Sequence, residues 1–361
     1  MKSALIDFHS LATIWAPQLA DDVRAFLWRQ FPLFFRQEVT DPPPHPDIIL
    51  QPMGDLPPIT DTNTRISALY GFSIFDYRGE FAVGLLHKRL PDILIMLSDP
   101  LKIIYRPRAG NQGRLYGVLL FGIQLCLKRK YALLSHGAVV EKNGQTLLIA
   151  GHRGSGKTQL LLTLLRRGWN YLSDDKFILH RGTAYLFESR IYINDHLFSC
   201  LPWLRTIVPA TRLQQSATLL RRTLRPLAYG ILQRRSPFRL ERLLDPAVQY
   251  DVETLLSSCS LRVQAVPAHG FLLFHGRHFS IEEISRNSAI TRLSSIEHLL
   301  FADTDAMEKM LSLYTGIDFE PLQNLVGLNL PDIPFYKVVI PEMPDLEGAC
   351  QEILKCCESQ L

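Results

Sequence analysis

The sequence predicts an α/β fold, with a phosphate-loop domain following an N-terminal α+β region. Three observations predict it. An apolar run, Gln145 to Ala150, leads into the glycine-rich segment 151–158. A helix-spaced run through Leu160, Leu161, Leu164 and Leu165 follows it. Before both, residues 66–105 carry short β-type runs broken by turn residues. The boundary falls at Arg106-Pro107-Arg108-Ala109-Gly110-Asn111, which divides the chain into 1–110 and 111–361.

The chain has 361 residues, 47% apolar and 20% charged, enough to fill a sizeable core and unlike a disordered or collagen-like chain. Its first stretch reads as helical, with Asp21 capping a helix through Val23, Phe26, Leu27 and Trp28. Seven prolines between 41 and 58 exclude helix and central strand, so that stretch reads as an extended loop. Ile66 to Asp76 and Glu80 to His87 form a hairpin across Tyr77-Arg78-Gly79, and Asp92 to Tyr105 supplies further strand broken at Ser98-Asp99-Pro100. Leu115 to Leu127 is a buried helix, shorter than the roughly 20 residues a membrane span needs. Leu133 to Glu141 is a strand, turned at Asn143-Gly144 into the next.

Beyond the loop helix, Gly168 ends the helix and Trp169 to Leu172 forms a short strand. Lys176 to His180 and Ala184 to Phe187 make a hairpin across Arg181-Gly182. Leu204 to Leu256 reads as largely helical, Phe271 to Phe274 and Phe335 to Ile340 as strands, and Ser294 to Phe301, Asp305 to Leu313 and Leu346 to Cys357 as helices. Cys350 and Cys357 share a face of the last helix. The six cysteines form no CxxC pair, and Asp7 interrupts any export-signal core, so a reducing, cytoplasmic setting is expected.

Gly151-His152-Arg153-Gly154-Ser155-Gly156-Lys157-Thr158 fits GxxxxGK[ST] at every fixed position. Glycines let backbone N–H groups close on phosphate oxygens where a Cβ would intrude. The following helix points its positive end at the anion. Lys157 is placed for the β/γ phosphates, and the Thr158 hydroxyl for Mg²⁺. Ser173-Asp174-Asp175 ends the next short strand. If that strand lies beside the loop strand, one carboxylate can hold Mg²⁺ and the other can take a proton from an acceptor hydroxyl. Read alone, the same residues are equally an Asp-rich turn.

Ser135-His136-Gly137-Ala138, the strand pair across Asn143-Gly144, the loop, Arg166-Arg167-Gly168 and Leu172-Ser173-Asp174-Asp175 together resemble the catalytic core of the HPr kinase/phosphorylase family. The likeness is nearer to the HPr-kinase-like branch that accompanies peptide-tailoring enzymes, including lasso-peptide kinases, and covers residues 131–180. It implies a P-loop kinase core of the HPr kinase/phosphoenolpyruvate carboxykinase type. It further implies ATP- and Mg²⁺-dependent phosphorylation of a hydroxyl, usually serine, and raises the expectation of a homo-oligomer. By position, Asp174 is implied as the base and Asp175 as its acidic neighbour and metal ligand, roles the two could exchange, and His136 as the family's catalytic histidine. Glu188-Ser189-Arg190-Ile191-Tyr192-Ile193-Asn194 echoes a further family signature but comes early and lacks its glycines, so no phosphorylase activity is expected.

Nine arginines lie between Arg205 and Arg242, against one acid, Glu241, so the chain's net charge of +4 is local to this Arg-rich insertion. A solvated helical face explains it, as does an acidic peptide or phosphorylated partner. Too few aromatics interleave for a nucleic-acid surface. His269, His275 and His278 bracket a strand without a further metal ligand in view. The readings that stay open are a kinase acting on a peptide, protein or small-molecule hydroxyl, a P-loop ATPase, and a nucleotide-dependent binding module.

Overall fold

A computed structural model describes the chain except for residues 1, 40, 42, 54–64, 70–71, 78–79, 88–89, 108–111, 153, 209–247, 257–258, 301–307, 309–311, 313–318, 342–344 and 359–361. Two compact units emerge, each drawn from three stretches of chain. The first holds Met1–His136, Phe177–Glu188 and Arg286–Asp332, and the second Gly137–Lys176, Ser189–Ser285 and Ile333–Leu361. The boundary read at residue 110 is a single cut, whereas the chain leaves the first unit after His136 and returns to it twice.

The start of the chain is β-structure, not helix. Lys2–Phe8 (β1) and Ala12–Leu19 (β2) pair antiparallel, burying Ala4, Ile6 and Phe8 at a period of two. The expected helix runs over Asp21–Gln30 (α1), but its N-cap is Ala20. Asp21 and Asp22 lie inside the first turn, where carboxylates meet the positive helix end. Phe35–Gln37 (β3) adds to β1. The proline-rich stretch holds a strand after all. Ile48–Pro52 (β4) runs parallel to both β2 and Leu101–Tyr105 (β9), between them. Its inner residues Ile48-Ile49-Leu50-Gln51 carry no proline, so every ladder donor is present where it is needed.

Arg65–Leu69 (β5), Phe72–Tyr77 (β6), Glu80–His87 (β7) and Leu90–Met96 (β8) complete a nine-stranded sheet in the order β3-β1-β2-β4-β9-β8-β7-β6-β5. Ile66 to Asp76, read as one run, is therefore two strands. Gln112–Arg129 (α2) covers the sheet with Leu115, Val118, Leu119, Ile123 and Cys126. It lies so close that a Cβ at Gly122 would come within 3.1 Å of Ile103 and 3.3 Å of Ile48. Leu133–His136 (β10), the hairpin of Lys176–His180 (β14) and Thr183–Leu186 (β15) from Phe177 on, and helices Arg286–Leu300 (α7) and Leu322–Asn329 (α8) belong to the same unit. Arg181 and Gly182 turn the hairpin with φ of 48° and 78°. Asn329 holds it, accepting the Arg181 N–H and donating to the Tyr131 carbonyl, each at 2.9 Å.

In the second unit, Ala138–Lys142 (β11) and Gln145–Gly151 (β12) form a hairpin whose turn residues Asn143 and Gly144 have φ of 52° and 83°, the sign a type I′ turn requires. The strand read as Leu133 to Glu141 is thus two strands, parted at Gly137 and assigned to different sheets. Lys157–Arg166 (α3) follows the loop, and Asn170–Ser173 (β13) returns beside β11. His269–His275 (β19) joins β12 in parallel, Phe335–Ile340 (β21) joins β19 in parallel, and Ser280–Ile284 (β20) closes the edge antiparallel. The sheet order is β13-β11-β12-β19-β21-β20.

Leu346–Glu358 (α9) buries Cys350, Ile353 and Cys357 on one face, as its spacing predicts. Arg190–Ile193 (β16) and Val248–Asp251 (β17) form a separate antiparallel ribbon. Between and after them lie Asp195–Cys200 (α4), Leu204–Ile207 (α5), Val252–Leu255 (α6) and the two-residue strand Gln264–Ala265 (β18). The segment read as helical from Leu204 therefore includes a strand. Eight of its nine arginines, at 212, 221, 222, 225, 234, 235, 239 and 242, lie outside the described residues.

Candidate functional site

The site is built where β12 ends. Gly154 and Gly156 take left-handed φ values of 85° and 93°, which a side chain would strain. Gly151 needs its bareness for another reason. A Cβ there would lie 2.5 Å from Ser155 Oγ and 2.7 Å from the Leu273 carbonyl of β19. The neighbouring strand therefore dictates the first glycine, and backbone geometry the other two. Gly156 is the N-cap of α3 and supplies no capping side chain, so the first-turn N–H groups face the loop. Ser155 is buried, and its hydroxyl has no hydrogen-bond partner among the described residues.

Lys157 is buried and donates from Nζ to the carbonyls of Gly151 at 2.7 Å and His152 at 3.1 Å, which fixes the ammonium at the loop. Thr158 Oγ1 donates to Asp174 Oδ1 at 2.8 Å. Asp174 is only 4% exposed and also accepts the backbone N–H of Tyr192 on β16. Burial pushes its carboxyl up to about 7, and the nearby Asp175 charge adds to the rise. The Thr158 bond, Lys157 and the Tyr192 amide pull the other way. Asp175, a third exposed at its side chain, pairs with Lys176. Its carbonyl accepts the Gly137 N–H at 3.2 Å, while the Ser173 hydroxyl donates to Lys176 O at 2.8 Å and holds the turn.

One expectation is corrected here. β13 does not neighbour the loop strand, because β11 lies between them. Asp174 still reaches the loop helix because it follows β13, where the chain turns, and Thr158 in the first turn of α3 meets it directly.

Gly151, His152, Gly154, Ser155, Gly156, Lys157, Thr158, Asp174 and Asp175 all fall in the second unit, while Arg153 lies outside the described residues. His136 ends β10 in the first unit, buried, its backbone N–H donating to Glu297 at 2.8 Å. Glu188 is likewise in the first unit, accepting the Tyr116 hydroxyl, and Arg190 pairs with Asp251. No cluster of three or more His, Cys, Asp or Glu side chains forms a metal cage among the described residues. The Tyr192 amide went unread in the sequence, since a backbone donor leaves no mark on residue identity.

No family model matches the chain. Curated relatives do. The HPr kinase/phosphorylase of Chlorobium chlorochromatii is 28% identical over 114 residues, 30% of this chain and 33% of that protein. Those of Chlorobium luteolum and Chlorobium phaeovibrioides are 31% and 30% identical over 113 residues, with the same shares. The chain thus spans about a third of the length of the curated relatives it matches. Among solved structures, the HPr(Ser) kinase/phosphatase from Coxiella burnetii aligns with a TM-score of 0.27 and 12% identity, covering 63% of this chain and 98% of that one. No described helix is long and apolar enough to cross a membrane. Over the shared third, the chain is related by sequence to the HPr kinase/phosphorylases, as its motifs imply.

Proposed function

We propose that the protein is an ATP- and Mg²⁺-dependent kinase that transfers the γ-phosphate to a hydroxyl of a peptide, protein or small molecule, in the reduced cytoplasm. The observation that carries this reading is the 2.8 Å bond from Thr158 to Asp174. It ties the first turn of the loop helix to a buried carboxylate whose proton affinity lies near neutrality. The residues suit the cofactor. The three glycines leave a cradle that a Cβ would obstruct, and the buried Ser155 hydroxyl and the α3 N-terminus add donors to it. Thr158 and Asp175 offer hard oxygen ligands, and Mg²⁺ usually takes few of these from protein and the rest from water and phosphate.

Bound ATP–Mg²⁺ would supply the transferable phosphoryl group and part of the charge compensation. Lys157, held at the loop by two carbonyls, neutralises charge on the β/γ phosphates. Asp174 takes the acceptor's hydroxyl proton, and a carboxyl near 7 is matched to that task at neutral pH. Asp175, paired with Lys176 and partly exposed, offers its carboxylate to the metal. In this reading His136 contributes by family position.

The test is γ-phosphate transfer from labelled ATP–Mg²⁺ into a cell extract, with the products split into peptide and small-molecule fractions. Wild type should label one fraction, and Lys157→Ala and Asp174→Asn should label neither. Free phosphate alone, released equally by Asp174→Asn, would replace this reading with an ATPase.

A further inference from the structure

β12, β19 and β21 are parallel and end at one edge of the second unit's sheet, and ligands of open α/β sheets gather beyond such carboxyl ends. β12 ends in the loop. The register sets Leu273 beside Gly151, so His275 stands two residues past the loop's first glycine. His275 is exposed, and no hydrogen bond or ion pair engages its ring among the described residues.

The ring is nonetheless close to the loop. A Cβ built on Gly154 would find one atom within 4 Å beyond its chain neighbours, the Nε2 of His275 at 3.9 Å. Gly156, by contrast, faces Gln159 and the apolar tip of Ile340. The sheet, not the loop, fixes the histidine. His275 pairs with Ile340 in β21, and the Gly276 N–H donates to the Ile340 carbonyl at 3.1 Å. Beside it, Phe274 meets the His152 ring edge-on, with centroids 6.4 Å apart.

We propose that His275 is a phosphate-binding residue of this site, its ring N–H donating to the terminal phosphate of a nucleotide held at Gly154. This rests on the nucleotide reading above and extends it to a side chain outside the loop motif. It gives Gly154 a second reason to be glycine, since a side chain there would stand between the imidazole and the phosphate.

Equilibrium binding of Mg–ATP and Mg–ADP to the full chain tests it, with His275→Ala, His275→Gln and Lys157→Ala beside wild type. Loss of one hydrogen bond to a charged group predicts about tenfold weaker ATP binding by His275→Ala, with ADP changed by less than about twofold. His275→Gln, which keeps an N–H donor, should recover most of the ATP affinity. The melting temperature of His275→Ala should match wild type, because the ring is exposed. Unchanged ATP binding by His275→Ala overturns the proposal, and so does an equal loss of both nucleotides, which would report a distorted loop. If Lys157→Ala abolishes binding while His275→Ala spares it, only the histidine assignment falls. If wild type binds neither nucleotide, the nucleotide reading falls and takes this one with it.

Discussion

Two carboxylates are buried in this protein in nearly the same local chemistry. Glu297, on α7 in the first unit, accepts the Ser135 hydroxyl and the His136 backbone N–H. Asp174, after β13 in the second unit, accepts the Thr158 hydroxyl and the Tyr192 backbone N–H. Each accepts from a hydroxyl and an amide among the described residues, and each is almost fully shielded from water. The difference lies one residue further out. Thr158 opens a helix on a glycine loop, and Asp174 has a second carboxylate as its chain neighbour. Ser135 and His136 sit in a strand, and Glu297 lies on α7, whose buried residues include the apolar Ala289, Leu293 and Ile296. Hydrogen-bonded burial therefore fastens both carboxylates, and only the company of Asp174, a threonine at the glycine loop and a second carboxylate, suits the base proposed above.

The comparison is sharpened first by Asp174→Asn. If Asp174 is the proposed base, its loss should lower phosphoryl transfer by about 10³-fold while ATP affinity stays within a few-fold, because the amide oxygen still accepts from Thr158. Glu297→Gln should leave ATP affinity unchanged. If Glu297→Gln lowers ATP affinity while Asp174→Asn spares transfer, the contrast is broken.

The next effect is on stability against pH, without added nucleotide or metal. The Asp174 carboxyl ionises near 3.8 when unfolded and near 7 when folded. Between those values the folded chain keeps a proton that the unfolded chain has released, so stability falls as pH rises through the window. The ceiling on that loss is about 4 kcal/mol. Asp174→Asn should be less stable relative to wild type at pH 5 than at pH 8, as read from denaturant midpoints. A constant difference across that range would contradict the raised proton affinity.

Glu297→Ala should cost about 3 kcal/mol, since it strands a buried hydroxyl and a buried amide, and chemical denaturation will show it. The smallest effect concerns the ribbon that carries the Tyr192 amide. Asn194 follows β16 and caps α4, accepting the Leu197 N–H at 3.1 Å. Asn194→Ala should lower stability by about 1 kcal/mol. A transfer loss beyond what that predicts would show that the cap also steadies the ribbon against Asp174.

What was legible in the residues was local. Asn143-Gly144 and Arg181-Gly182 announce turns through the positive φ they adopt, and the loop and α3 follow from glycine spacing and leucine periodicity. β7, β21 and the buried face of α9 were readable for the same reason. β1 is also legible, since Ala4, Ile6 and Phe8 alternate, although the helical pattern after Asp21 is the stronger local signal.

Pairing was not legible. Prolines around 41–58 hid β4, whose central place depends on partners at Ile14 and Leu101. β20 exposes most of its residues and so shows no alternation. Gly137 divides one apolar run between two sheets, a choice made by tertiary partners alone. At the site, the side chains of Lys157, Thr158 and Asp174 could be named in advance. The Tyr192 amide and the place of His275 depend on long-range register, which no local window contains.

That long-range register has a consequence for synthesis on the ribosome. Leu147 of the loop strand finds its parallel neighbour at His269, and that strand finds its own at Phe335 to Ile340. The loop therefore leaves the exit tunnel well before β19, which crowds Gly151, and β21 beside it have been made. Chain growth to Ile340 must precede a finished cradle, so nascent chains arrested short of that point should gain nucleotide affinity abruptly, not gradually, as they lengthen.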